Sequence, residues 1–131
     1  MVAVLAIVSF KGDVLRGWLR RRSDAERIQG KWQFVSITRT GKTESYIAQV
    51  IINGETLRVV KADGDIASYR LDEDHQPGWI DMIGPGGKSL PGIYELNGDT
   101  LRLCLNEKTQ RPTAFEAEAG SRTALWVLQR E

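Results

Sequence analysis

Short apolar runs bounded by turn residues recur from Lys31 to the end of the chain. In the run at 100–106, leucine occupies every second position, which places Leu101, Leu103 and Leu105 on one face of a strand. Eight such runs occur at the spacing of antiparallel β proteins. They are KWQFVSITRT, AQVIING, TLRVVKA, IASYRLD, GWIDMIG, GIYELN, TLRLCLN and ALWVLQR.

Tight turns connect several of these predicted strands. Asn-Gly at 53–54 and 97–98 and Asp-Gly at 63–64 favour two-residue hairpins, because glycine tolerates the positive φ that such hairpins need. Consecutive strands are therefore neighbours in the sheet. Both faces of the last strand are partly apolar, and closing the sheet on itself would remove its exposed edges. The predicted fold class is all-β, a small antiparallel up-and-down barrel of eight strands.

A short N-terminal helix is predicted before the first strand. Ser23 can cap it, Glu26 completes a capping box, and Gly30 can end the turn. We divide the chain into an N-terminal apolar and basic segment at 1–22 and a barrel domain at 23–131. The apolar start of the segment is shorter than the roughly 20 residues that cross a bilayer. Its positive charge follows the apolar run, whereas a secretory signal carries that charge first.

Two interpretations of the 1–22 segment stay open. Apolar and arginine residues at helical spacing are typical of a basic amphipathic helix on an anionic membrane surface. The same pattern suits a terminal helix packed on its own domain, which we favour. The compartment is not assigned, with a slight preference for the cytoplasm.

Composition narrows the classes of function. The 131 residues suffice for one domain with a core, and the formal net charge of +1 favours no nucleic-acid partner. One cysteine and one histidine exclude an internal disulfide and the common zinc sites. We predict no metal, no cofactor and no catalytic site. Consecutive acids beside His75 are interpreted as a solvated loop, and Cys104 as a packed, inert thiol.

The triplet Gly30-Lys31-Trp32, after the capped helix and at the start of the first strand, resembles the signature of the lipocalin (calycin) superfamily. The resemblance implies that Trp32 plugs the floor of the barrel and that Arg130, near the end of the last strand, packs across the indole. A glycine would let the helix approach the floor, and a cation over an indole adds roughly 0.5–2 kcal/mol. Gly30, Trp32 and Arg130 are thus predicted to form a structural floor.

A closer resemblance covers about residues 25–130. The motifs IQGKW, GIYELNGDTLRLC, RPTAF and the closing LQR are similar to those of a lipocalin-like domain abundant in planctomycete bacteria, a family without an assigned activity. The chain lacks the Thr-Asp-Tyr signature and the disulfides of larger lipocalins, which argues against a roomy interior.

Candidate ligand contacts follow from the predicted barrel. Arg111, made rigid by the next proline, is placed near the mouth, where it could hold an acidic head group; its alternative role is to satisfy backbone carbonyls. The glycine-rich stretch at 84–92 is interpreted as a flexible loop beside the opening. Aromatic side chains could line the cavity or fill it. The candidate ligand-binding residues are Arg111, Tyr94, Trp79, Tyr69 and Trp126.

Two functions compete on these grounds. The preferred one is a non-catalytic module that binds a small apolar or amphipathic ligand inside the barrel. The other is a protein-interaction or structural domain with a filled barrel. A fold alone does not decide between them.

Overall fold

A computed structural model describes residues 22–60 and 66–131 of the chain. These residues form one short helix and nine strands, all paired antiparallel. The elements are α1 (Asp24–Arg27), β1 (Gly30–Arg39), β2 (Lys42–Glu44), β3 (Gln49–Asn53), β4 (Thr56–Val60), β5 (Ile66–Asp72), β6 (Gly78–Ile83), a 3-10 turn (Pro85–Gly87), β7 (Ser89–Asn97), β8 (Thr100–Asn106) and β9 (Thr123–Arg130).

Eight of the strands close into a barrel, as the sequence predicts. Strands β3 to β9 pair in chain order, β3 pairs with the first part of β1, and β9 returns along the other edge of β1 to close the ring. The ninth strand, β2, was not predicted. It pairs only with residues 37–39 of β1, and its three side chains are all exposed. A strand without a buried face leaves no hydrophobic alternation in the sequence to detect.

The two Asn-Gly pairs form the same kind of hairpin turn. Gly54 and Gly98 each occupy the first of two loop residues, with φ of 65° and 61°. The type II′ hairpin turn requires glycine at this position. The Asp-Gly pair at 63–64 lies outside the described residues, as do positions 1–21, which include nearly all of the predicted amphipathic segment.

One predicted loop is shorter than expected. We interpreted 84–92 as a glycine-rich loop, but β7 already begins at Ser89 and includes Pro91, which pairs with Asp81. Gly92 lies deep in the sheet, where a Cβ would come 2.5 Å from the carbonyl oxygen of Cys104. The loop is thus confined to 84–88, and Gly92 serves the close approach of two strands.

The ends of the barrel differ in what covers them. The first, here called the helix end, carries α1 and the turns that contain Gly54 and Gly98. The second, here called the mouth, carries the turn at 40–41, the loop at 84–88 and the long connection at 107–122. Side chains that point inward fill the barrel between them, including Trp32, Ile80 and Leu128, each at most 1% exposed.

Candidate functional site

The helix end is closed by Trp32 and Arg130. Trp32 is fully buried, and its Nε1 donates a 2.9 Å hydrogen bond to the carbonyl oxygen of Ile28, just after α1. Arg130 lies opposite Trp32 in the β1–β9 pair, so both side chains share the inner face, and the guanidinium carbon is 4.2 Å from the ring centre. The guanidinium also donates to the carbonyl oxygens of Arg27 and Gln29. The helix is therefore fixed to the floor through its free carbonyls.

Gly30 completes this floor for a different reason than expected. Its φ is 119°, a region that side chains with a Cβ rarely adopt. A Cβ there would lie 3.7 Å from Nη1 of Arg130, which is an ordinary contact distance. The chain needs glycine for the backbone turn between α1 and β1, and close approach of the helix is not what requires it.

Tyr69 and Tyr94 fill the interior next to this floor. Both are buried, and their hydroxyls point toward the helix end. The Tyr94 hydroxyl donates a 2.6 Å hydrogen bond to Asp24 of α1, and the Tyr69 hydroxyl donates one of 2.6 Å to the carbonyl oxygen of Gly54. Burial raises the pKa of both phenols, and for Tyr94 the neighbouring Asp24 raises it further. These two side chains occupy space and tie elements together.

Trp79 and Arg111 lie together on the outer surface, away from the mouth. Trp79 projects outward from β6, with the His75 ring stacked 3.4 Å from its own and the Arg111 guanidinium carbon 4.3 Å from its centre. Arg111 donates to the carbonyl oxygens of Ile80 and Gly92 and pairs with Asp81 at 2.7 Å. These contacts place Arg111 on the outer face of the barrel and not near the mouth, where the sequence had placed it. They match the alternative that the sequence left open, an arginine that satisfies backbone carbonyls.

The motif RPTAF lies in the long connection at 107–122, here called the strap, and its side chains hold this connection against the barrel. Arg111 attaches one part of it to Trp79, and Phe115 lies 4.1 Å beneath the Arg102 guanidinium on the outer face of β8. Between them, Cys104 is fully buried and its Sγ lies 3.5 Å and 3.4 Å from the carbonyl oxygens of Ala114 and Glu116. Burial raises the pKa of the Cys104 thiol. The motif secures the strap, and the thiol is packed beneath it.

The loop that carries His75 is polar and internally bonded. His75 lies 3.4 Å from Asp72, and the backbone N–H of Asp74 donates to the Asp72 carboxylate. Within 22–60 and 66–131, no three metal-binding side chains converge on one point.

The mouth contains an apolar pocket. Its volume is about 230 Å³. Phe34 contributes to its wall, and the centre of the Phe34 ring is 4.9 Å from that of Tyr46 and 5.2 Å from that of Trp126. Trp126 is the one candidate from the sequence that lines it. The lining residues are Phe34, Ile37, Arg39, Tyr46, Val59, Leu90, Leu105, Glu107, Ala124 and Trp126.

Two charged residues lie at the rim of this pocket. Glu107 is 3.2 Å from Arg122 and 3.9 Å from Lys88, so its charge is compensated. Arg39 projects from the inner face of β1, where it pairs in register with Ala124. Sequence reasoning missed Arg39. A bulge between Phe34 and Ser36 shifts the register of β1, so that Ile37 and Arg39 point inward. The alternation from Ile37 to Arg39 is the sequence signal that could have identified Arg39.

The structure therefore distributes the five candidate residues over three places. Tyr69 and Tyr94 are inside near the helix end, Trp79 and Arg111 are on the outer face, and Trp126 is at the mouth.

Comparison of the chain with protein-family models, with curated proteins and with solved structures gives no match. Across the part of the chain that the structure describes, no helix combines the length and apolar character needed to cross a membrane.

Proposed function

We propose that this chain is a lipocalin-like module that binds a small apolar or amphipathic ligand at the mouth of its barrel. The observation that carries the proposal is the apolar pocket of about 230 Å³ that Phe34, Tyr46 and Trp126 help to line. Ligand sites combine such apolar and aromatic walls with a few polar groups, and here Arg39 and Glu107 supply the polar groups. The floor motif of Gly30, Trp32 and Arg130 supports the lipocalin-like part of the proposal.

The pocket is small for a binding site. Sites for drug-sized ligands enclose about 300–1,000 Å³. The side chains of Tyr69, Tyr94 and Trp32 occupy the deeper interior, so a ligand stays in the outer part of the barrel. This position favours small compounds, or one end of a longer molecule whose remainder lies in solvent.

A variant in which a larger side chain fills the pocket tests whether the pocket binds a ligand. Small uncharged probes such as toluene, indole and 1-octanol are titrated while the methyl resonances of Leu90 and Leu105 are followed by NMR. We expect saturable shifts in the natural protein. Ala124→Leu, which adds volume inside the pocket, should abolish them. Ala119→Leu, the same change at an exposed position of the strap, should preserve them. Linear, unsaturable shifts in all three proteins would contradict ligand binding.

The second candidate function is an interaction domain with a filled barrel. It is supported by apolar side chains on the outer face near the mouth, where Ile66 is 57% exposed and Ile83 is 46% exposed. Ile83 lies opposite Ser68, two residues along β5 from Ile66, so the two isoleucines are neighbours on one surface. Under this alternative Ile66→Ser with Ile83→Ser abolishes partner binding, and no apolar probe saturates the mouth.

A further inference from the structure

Arg39 is an arginine on the inner face of the barrel at the edge of an apolar pocket. Neighbouring inner positions at the mouth are apolar, including Ile37 on the same strand and Ala124 and Trp126 on β9. An arginine at this point interrupts a face that is otherwise hydrophobic. Packing alone does not require a guanidinium there.

The charge of Arg39 is uncompensated among the described residues. Arg27, Arg102, Arg111, Arg122 and Arg130 each pair with a carboxylate. Arg58 and Arg70 also have no ion pair among the described residues, but they lie on the outer face, whereas Arg39 borders the pocket. No carboxylate within 22–60 and 66–131 lies within ion-pair distance of the Arg39 guanidinium. Glu107, the acid that shares the pocket rim, is already paired with two other cations. Among the described residues of the rim, Arg39 therefore presents a positive charge that a ligand can meet.

From this arrangement we infer that the ligand is a small monocarboxylate, with its head group on Arg39 and its apolar part against the wall that Phe34 and Trp126 form. The inference rests on the proposed function and adds the chemical class of the ligand. The planar guanidinium donates two parallel hydrogen bonds to a carboxylate, which gives both attraction and orientation. The apolar walls contribute through the burial of methylene or ring carbons.

The volume of the pocket limits the length of the apolar part of the ligand. At about 30 Å³ for each water-sized group, 230 Å³ holds on the order of eight groups. Below this depth the interior is packed, and the fully buried Leu128 and Trp32 leave no room for a longer chain. A chain of about eight carbons should therefore fill the site, and additional carbons should remain in water.

A series of straight-chain carboxylates tests both parts of the inference. Butanoate, hexanoate, octanoate, dodecanoate and hexadecanoate are titrated below their micelle concentrations, with the Leu90 and Leu105 methyl shifts as the readout. Each methylene up to about the eighth carbon should tighten binding roughly fourfold. Longer acids should gain little more. A gain that continues undiminished to hexadecanoate would overturn the proposed size limit.

The role of Arg39 is tested with a pair of probes that differ in charge. Octanoate should bind the natural protein about tenfold more tightly than 1-octanol, and Arg39→Gln should remove that preference while leaving 1-octanol unchanged. The matched control is Arg70→Gln, which removes the same charge from an exposed position on the outer face of β5. It should leave the preference intact.

The outcomes separate this inference from the function on which it rests. If 1-octanol saturates the pocket but Arg39→Gln does not alter the ratio of the octanoate and 1-octanol affinities, the carboxylate assignment is overturned and the apolar site remains. If neither probe saturates the natural protein, the proposed function itself is overturned, and the carboxylate assignment with it. A loss of both affinities in Arg39→Gln, with an unchanged ratio between them, also counts against the head-group role.

Discussion

An arginine lies on the inner face at each end of this barrel, and the two arginines have opposite surroundings. At the helix end, Arg130 lies over Trp32, donates to two backbone carbonyls and pairs with Asp99. At the mouth, Arg39 borders the apolar pocket that Trp126 also lines, and no carboxylate of the described residues pairs with Arg39. The same residue type on the same inner face thus has its partners within the fold at one end and lacks them at the other.

The difference separates stability from binding. Polar groups that satisfy one another at the helix end, such as the Tyr94 hydroxyl and Asp24, strengthen the fold because little is left for solvent or ligand. The mouth combines an incompletely filled apolar space with an available charge, and both are sources of binding free energy. We therefore expect substitutions at the helix end to change the free energy of unfolding, and substitutions at the mouth to change affinity.

The largest expected effect compares the two tryptophans. Trp32→Ala removes a fully buried indole and should lower the free energy of unfolding by about 3–5 kcal/mol. Trp126→Ala should cost about 1–2 kcal/mol, because Trp126 is partly buried beside space that is already empty. Denaturation with urea, monitored by far-UV circular dichroism, measures both values. Equal losses would contradict the division between the two ends.

The next effect concerns Arg130. Arg130→Gln removes the cation over Trp32 and two hydrogen bonds to carbonyls next to α1, and should cost about 1–3 kcal/mol. The control Asp99→Asn removes only the ion pair of an acid that is 71% exposed, and should change stability by less than about 1 kcal/mol. If the two variants lose the same stability, the carbonyl contacts do not contribute and the surface ion pair accounts for the whole effect.

The sequence predicted the helix end better than the mouth, for physical reasons. The capping box at Ser23 and Glu26 is a local signal, and the contact of Trp32 with Arg130 followed from the resemblance to lipocalins, although the reason for Gly30 did not. Eight strands followed from alternation because each has a buried face.

The mouth depends on contacts that alternation does not encode. The bulge near Val35 shifts which residues of β1 point inward, and thereby brings Arg39 to the pocket. The strap takes Arg111 to the outer face, where it meets Trp79 of β6, 32 positions earlier in the chain. Such a contact depends on the path of a long loop, and only the fold determines that path.

A smaller effect appears at alkaline pH. Burial and the neighbouring Asp24 raise the pKa of Tyr94 above its ordinary value of 10.0, so above that pH the folded state holds a proton that the unfolded state releases. This contribution to stability is complete below pH 10.0 and is lost progressively as the pH rises above it. Tyr94→Phe should cost about 1 kcal/mol at pH 7. The stabilities of the two proteins, followed by thermal unfolding, should converge above pH 10.0. A constant difference between them across this range would contradict the role of the Tyr94–Asp24 hydrogen bond.

The smallest effect on stability is expected at Arg39. Its side chain is exposed and forms no ion pair among the described residues, so Arg39→Gln removes no contact that the folded state needs. Substitutions of this kind change the free energy of unfolding by less than about 0.5 kcal/mol. Arg39→Gln and Arg130→Gln are measured under identical conditions, so that the same chemical change is compared at the two ends of the barrel. A loss at Arg39 as large as that at Arg130 would mean that both arginines are structural, because a residue retained for a ligand has no reason to stabilise the empty protein.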